Sequence, residues 1–136
     1  MKSLFVIATA SMALLGCASK PISNSEATLS STILNQSFSE RKEGYASLII
    51  KRDSGFGGYA CSSRVYIDGV AVVDLDPGEY YNAFVNPGGH IISSKPNGIC
   101  SGGLYETNIN AKENQNLTYR IGYGSNGDYF IVPTAF

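Results

Sequence analysis

The chain has 136 residues, the size of one domain. Its formal net charge is −1 and only 15% of its residues are charged, so it has no basic surface from which nucleic-acid binding would follow. Nine Tyr and fifteen Gly with no Trp suit an exported all-β domain better than a helical one, which would draw on Glu, Lys, Leu and Ala.

The amino-terminal residues read as an export signal. Met1-Lys2-Ser3 is a short positive start, and residues 4–15 form an apolar run of the length such signals use. The run is too short to cross a bilayer, which takes about 20 apolar residues. It ends in Leu14-Leu15-Gly16-Cys17, which resembles the bacterial lipobox, where small residues precede a cysteine. The resemblance implies cleavage after Gly16, a diacylated Cys17 thiol and an acylated new amino terminus, with palmitate among the chains. Each buried methylene contributes about 0.8 kcal/mol, so two or three chains anchor stably where one would not. Without residues 1–16 the chain carries nine basic and eleven acidic side chains, a net charge of −2. Ala18 follows the cysteine. An Asp there favours inner-membrane retention in proteobacterial lipoproteins, so the expected location is the cell envelope, on the outer membrane. The alternative is a plain secretory signal with an incidental cysteine.

Residues 17–40 read as the lipidated cysteine and a flexible tether. Ser19, Ser23, Asn24, Ser25, Thr28, Ser30, Ser31 and Thr32 bury little, although Leu29, Ile33, Leu34 and Phe38 allow a turn or two of helix. From residue 41 onward, short Val/Ile/Tyr/Phe runs alternate with Gly/Pro/Asn/Asp turns. Strands are expected at residues 45–52, 64–68, 70–75, 79–85, 90–94, 104–110, 117–123 and 129–132. Asp68-Gly69 signals a tight hairpin, because Gly accepts the positive φ such a turn needs. Asp76-Pro77-Gly78 and Asn86-Pro87-Gly88-Gly89 make further turns. In residues 79–85, Tyr80, Asn82 and Phe84 fall on one face and Tyr81, Ala83 and Val85 on the other. The expectation is an all-β domain over residues 41–136, a small antiparallel β-sandwich of about seven or eight short strands.

Several short motifs carry a family resemblance. They are residues 45–52, Val65-Tyr66-Ile67-Asp68-Gly69, Leu75-x-x-Gly78-x-Tyr80, Val85-x-Pro87-Gly88-x-His90 and Tyr119-Arg120-Ile121. Together they resemble small bacterial lipoprotein domains related to the PEGA domain. The resemblance implies a β-sandwich exposed on an envelope surface and no particular activity. Gly89, between Gly88 and His90, and the Gly55-Phe56-Gly57-Gly58 loop depart from it.

Residues capable of chemistry have mostly structural readings. Cys61 and Cys100 remain once Cys17 is lipidated, and an even pair in an oxidising compartment reads as a disulfide. They lack the C-x-x-C spacing of a redox or metal site. The lone His90 has no nucleophile motif near it, and after a Pro-Gly turn an imidazole can satisfy a turn carbonyl. Asp68 and Asp76 stand where turns favour Asp, and Asp74 and Glu79 are the acids placed to face each other across the Asp76-Pro77-Gly78 turn. The spacing of Asp68, Asp74 and Asp76 is not that of an EF-hand loop. No cofactor and no metal site are expected.

The tyrosines suit either a two-sided sheet or a partner surface, since each joins a large apolar face to a polar tip. Candidate contact residues are Phe56, Tyr59, Tyr80, Tyr81, Tyr105 and Tyr123. The leading expectation is a non-enzymatic, membrane-anchored envelope lipoprotein that binds or positions an envelope component, with an envelope protein as partner. A second is an inhibitor or immunity-type lipoprotein against a cell-wall-active enzyme, with a protruding loop near Cys61 and Cys100. A third is a wall-polymer hydrolase that uses Asp74 and Glu79.

Overall fold

A computed structural model describes residues 18–100 and 102–136. The signal peptide expected at 1–16 and the lipidation expected at Cys17 lie outside the described residues.

Nine strands are formed among the described residues: β1 (Thr28–Leu29), β2 (Ala46–Arg52), β3 (Ser63–Ile67), β4 (Val70–Leu75), β5 (Glu79–Val85), β6 (Gly88–Pro96), β7 (Tyr105–Ala111), β8 (Asn116–Tyr123) and β9 (Tyr129–Pro133). A single 3₁₀ turn, Gln36–Phe38, is opened by the Asn35 side chain accepting from the Ser37 amide. The strands form a five-stranded sheet in the order β1-β5-β2-β8-β9 and a four-stranded sheet in the order β4-β3-β6-β7. The domain is therefore a small all-β sandwich.

Period-two alternation builds the core. Ala46, Leu48 and Ile50 of β2 and Tyr81, Ala83 and Val85 of β5 point inward from the larger sheet, with Tyr119, Ile121 and Ile131 beside them. Val65, Ile67, Val73, Leu75 and Ile92 close the core from the smaller sheet. Asp68 adopts φ 49° in the β3–β4 hairpin, a conformation that Asp tolerates better than bulkier residues.

Two features differ from expectation. The five-stranded sheet is mixed, because β2 pairs in parallel with β8 and β1 in parallel with β5. The chain leaves β2 to build all four strands of the other sheet before β8 returns alongside it, and such a crossover permits a parallel pair. In addition, residues 18–40, expected as a flexible tether, are bonded along the sandwich. β1 adds to the β5 edge, Ile33 bridges Val73, and the Asp74 amide donates to the Thr32 carbonyl. The segment thus covers the β5 edge of one sheet and the β4 edge of the other, which would otherwise present unpaired backbone groups. This demand comes from the backbone, so a Ser/Thr/Asn-rich composition gives no sign of it.

Ser30 fixes that strap. Its buried hydroxyl donates to the Asp74 carbonyl at 2.9 Å and accepts from the Thr32 amide at 3.2 Å. Ser30→Ala should lower the unfolding free energy by about 1 kcal/mol, because the Asp74 carbonyl and the Thr32 amide each lose a part-buried bond. Urea unfolding measures this, and an unchanged midpoint would mean the segment is not part of the folded unit.

Candidate functional site

The C-terminal ends of β2 and β8 and the N-terminal ends of β3, β7 and β9 gather three loops at one end of the sandwich: residues 53–62, 97–104 and 124–128. Cys61 and Cys100 join the first two loops, with S–S 2.06 Å and Cα–Cα 6.1 Å. The disulfide therefore holds both loops together at one end.

Arg52, the last residue of β2, sits fully buried beneath the first loop. Its guanidinium donates to the Ser63 hydroxyl and to the Gly57 and Gly58 carbonyls at 3.3 and 3.2 Å, and it stacks 5.1 Å from the centre of the Tyr123 ring. Gly58 has to be glycine, since its φ is +66° and a Cβ there would lie 2.1 Å from the Tyr123 ring.

A second fastening holds the amino-terminal segment. Ser19 donates its amide to the Tyr123 carbonyl at 2.9 Å, and its hydroxyl accepts from the Tyr123 amide at 2.7 Å and donates to Asp53 at 2.9 Å. Asp53 also takes the Arg120 guanidinium at 2.6 Å. Burial pushes the Asp53 carboxyl above its ordinary range, against the downward pull of Ser19 and Arg120. Gly122 makes this possible, because a Cβ there would fall 2.2 Å from the Asp53 carboxylate and 2.4 Å from the Ser19 hydroxyl. Lys20 and Ser54 exchange backbone hydrogen bonds at 2.7 and 2.9 Å.

Above this base Phe56 is 87% exposed and Tyr59 65%, their rings meeting edge to face at 6.0 Å. A cleft of about 410 Å³ runs between Phe56, Cys100, Tyr123 and the 125–127 turn. Ile99, next to the disulfide, is 99% exposed.

The six candidate contact residues therefore divide. Phe56, Tyr59 and Tyr105 are exposed, and Tyr80 is half-buried on the outer face of its sheet. Tyr81 and Tyr123 are buried and are removed from the contact set. Strand alternation turns both inward, where the Tyr81 hydroxyl bonds Ser39 and the Tyr123 ring packs 5.2 Å from that of Tyr129. Ile99 is exposed as well, and aromatic character does not mark it. An aliphatic residue alone in Asn97-Gly98-Ile99-Cys100 was the available signal.

The acids and the histidine are tied into the scaffold. Arg64 grips Asp74 through two bonds at 2.8 Å and holds it below its ordinary pKa, with help from Asn97. Glu79 accepts from the Asp76 amide. Asp74 and Glu79 thus serve different partners rather than each other. Among the described residues, no group of three His, Cys, Asp or Glu side chains converges to hold a metal, and no helix is long and apolar enough to cross a membrane.

His90 faces two acceptors, the Asp68 carboxylate at 2.6 Å from Nδ1 and the Asn86 carbonyl at 2.7 Å from Nε2. Only the doubly protonated ring donates to both. Burial alone would lower its pKa, but Asp68 and the Asn86 carbonyl raise it above the ordinary value. Partial burial pushes Asp68 the other way, and the bonds from His90 and the Ile91 amide hold it below its ordinary value.

No protein-family profile matches this chain, and comparisons with curated proteins and with solved structures give no match either.

Two predictions follow from these contacts. His90 is raised, so its contribution to stability is complete below about pH 6.5 and fades as the pH climbs through the folded value. His90→Phe should cost about 1–2 kcal/mol near pH 6, a modest figure because Asp68 is partly solvated, and should flatten the decline in stability above about pH 6.5. Thermal melts across that range decide it, and an unaltered slope would exclude His90 as the titrating group. The cysteines close a loop with a sequence separation of 39. Replacing both by Ser should therefore cost roughly 3–4 kcal/mol in chain entropy, read from urea midpoints of oxidised and variant protein.

Proposed function

We propose that this chain is a lipid-anchored bacterial envelope lipoprotein whose β-sandwich binds or positions an envelope component without catalysing a reaction. The observation that carries the proposal is the amino-terminal pattern, with its positive start, apolar run and Leu14-Leu15-Gly16-Cys17. The Cys61–Cys100 disulfide supports it, because such bonds persist in oxidising compartments. The side chains best suited to acid–base work, His90, Asp68, Asp74 and Glu79, all hold turns or strand partners in place. The two most exposed large apolar residues among those described, Ile99 and Phe56, stand instead on the disulfide-tied loops, with Tyr59 and Leu104, where a scaffold presents them for contact. The resemblance to PEGA-related domains points to the same class.

The protrusion of Phe56, Tyr59 and Ile99 around the disulfide also favours a second reading. It is an inhibitor or immunity-type lipoprotein that inserts this loop into a cell-wall-active enzyme.

Metabolic labelling with an alkyne analogue of palmitate tests the anchor. The full chain should take up label and sediment with membranes, and Cys17→Ser should lose both. Label retained by Cys17→Ser, or a wild-type chain that is exported unlabelled, would overturn the reading.

A further inference from the structure

We propose that the Phe56–Tyr59 loop, together with Ile99, docks on the lipid surface of the membrane that holds the anchor. This deepens the proposed function by naming the envelope component as the bilayer itself, and it rests on the lipid anchor at Cys17.

The described chain starts at Ala18, beside this loop. Ala18 directly follows Cys17, and the next residue is pinned by Ser19 to Tyr123 and Asp53, then Lys20 to Ser54. Gly55, beside Phe56, comes so close to this segment that a Cβ on it would lie 3.5 Å from the Lys20 amide nitrogen and 3.8 Å from the Ser19 Cα. A lipid on Cys17 therefore leaves the domain beside the Phe56 loop, with no length of free tether between them. Fastening a weak binder this close raises its effective concentration at the surface to the millimolar range, so a loop that would not hold a bilayer alone stays engaged.

The chemistry of this end suits a bilayer. Phe and Tyr settle at the boundary between headgroups and acyl chains, and an exposed aliphatic beside them adds apolar area. Phe56, Tyr59, Ile99 and Leu104 are the exposed large apolar residues of the two disulfide-joined loops, and Phe56 follows Gly55 beside the exit. The loops at 53–62, 97–104 and 124–128 contain two charged side chains, Asp53 and Asp128, and Asp53 is buried against Arg120. The loops themselves therefore add little exposed charge to the tip, although Lys20 beside the exit, Asp128 and Asp76 in the neighbouring 76–78 turn are exposed at the same end. The opposite end carries more exposed charge, with Asp68, Arg41, Lys42, Glu43, Lys112 and Glu113 at the hairpins and the approach to β2. What sets the anchor end apart is the exposure of Phe56, Tyr59 and Ile99.

The disulfide and Arg52 make the tip rigid before it meets lipid. Arg52 holds the Gly57 and Gly58 carbonyls from below, and the Cys61–Cys100 bond clamps Ile99 to the same platform. Little ordering remains to be done on docking.

The chain has no tryptophan, so one introduced residue reports alone. Full-length Phe56→Trp and Ile99→Trp would be compared with Val70→Trp, placed in the hairpin at the opposite end. Each would be purified with its lipid and reconstituted into phosphatidylethanolamine/phosphatidylglycerol vesicles with and without brominated acyl chains. Phe56→Trp and Ile99→Trp should emit further to the blue and be quenched several-fold by bromolipid, and Val70→Trp should be unaffected. If the chain is acylated and vesicle-bound but all three emit alike, the docking is overturned and the anchor stands. A blue shift seen only in native envelopes, and not in protein-free vesicles, would assign the loop to a protein and also overturn it. An exported chain that lacks an acyl mass on Cys17 and does not bind vesicles would overturn the anchor and the docking together.

Discussion

A guanidinium lies between the two sheets of this sandwich with none of its surface in water. Burying such an ion costs several kcal/mol unless its protons find acceptors, so Arg52 dictates what surrounds it. Ser63 opens β3 directly across the core and takes one bond, while the Gly57 and Gly58 carbonyls take two more. The Tyr123 ring offers its face, and Nε is the one buried side-chain donor left without a hydrogen bond among the described residues. Each of these partners belongs to a different stretch of chain. Satisfying one cation therefore fixes the path of the 53–62 loop, the start of the second sheet and the end of β8. Gly58 follows from the same requirement, since a side chain there would displace both the ring and the guanidinium.

A few residues further out, Asp53 repeats the principle with the opposite charge. It is as dry as its neighbour, and its acceptors are served by Arg120 and by a hydroxyl from the amino-terminal segment. Ser19 is thereby fixed to the end of β8 and to a buried carboxylate although it lies two residues from Cys17. Buried charge, more than apolar area, decides where the chain emerges.

How much of this was legible beforehand depended on range. Strands and hairpins were, because alternation and turn chemistry act within a few residues. Asp68-Gly69 and the inward set Tyr81, Ala83 and Val85 appear where the pattern put them. The disulfide was legible by counting cysteines. Whatever needed distant partners was not. Arg52 reads as the polar end of a strand and Lys51 as its solvated neighbour. Yet Lys51 is covered as well, donating to the Ile22 and Phe136 carbonyl oxygens. Burial lowers its pKa, and no local spacing announces that. The strap at residues 28–35 was hidden for a related reason. What recruits it is the backbone of two exposed sheet edges, which lie far from it in sequence.

The same distinction separates the aromatic residues that hold the fold from those free to touch something else. Tyr81, Tyr119, Tyr123 and Tyr129 all lie in the core, and the hydroxyls of Tyr81 and Tyr129 reach Ser39 and Ser94. Four of the nine tyrosines thus belong to an interior that tolerates hydroxyls at its margins. Phe56, Tyr59 and Ile99 have no such duty. They stand on two loops joined by the disulfide, the first of them also held by Arg52. A surface so firmly supported, apolar, poor in charge and adjacent to the chain's exit has properties that neither stability nor solubility requires. Contact with something apolar close to that exit accounts for all of them at once.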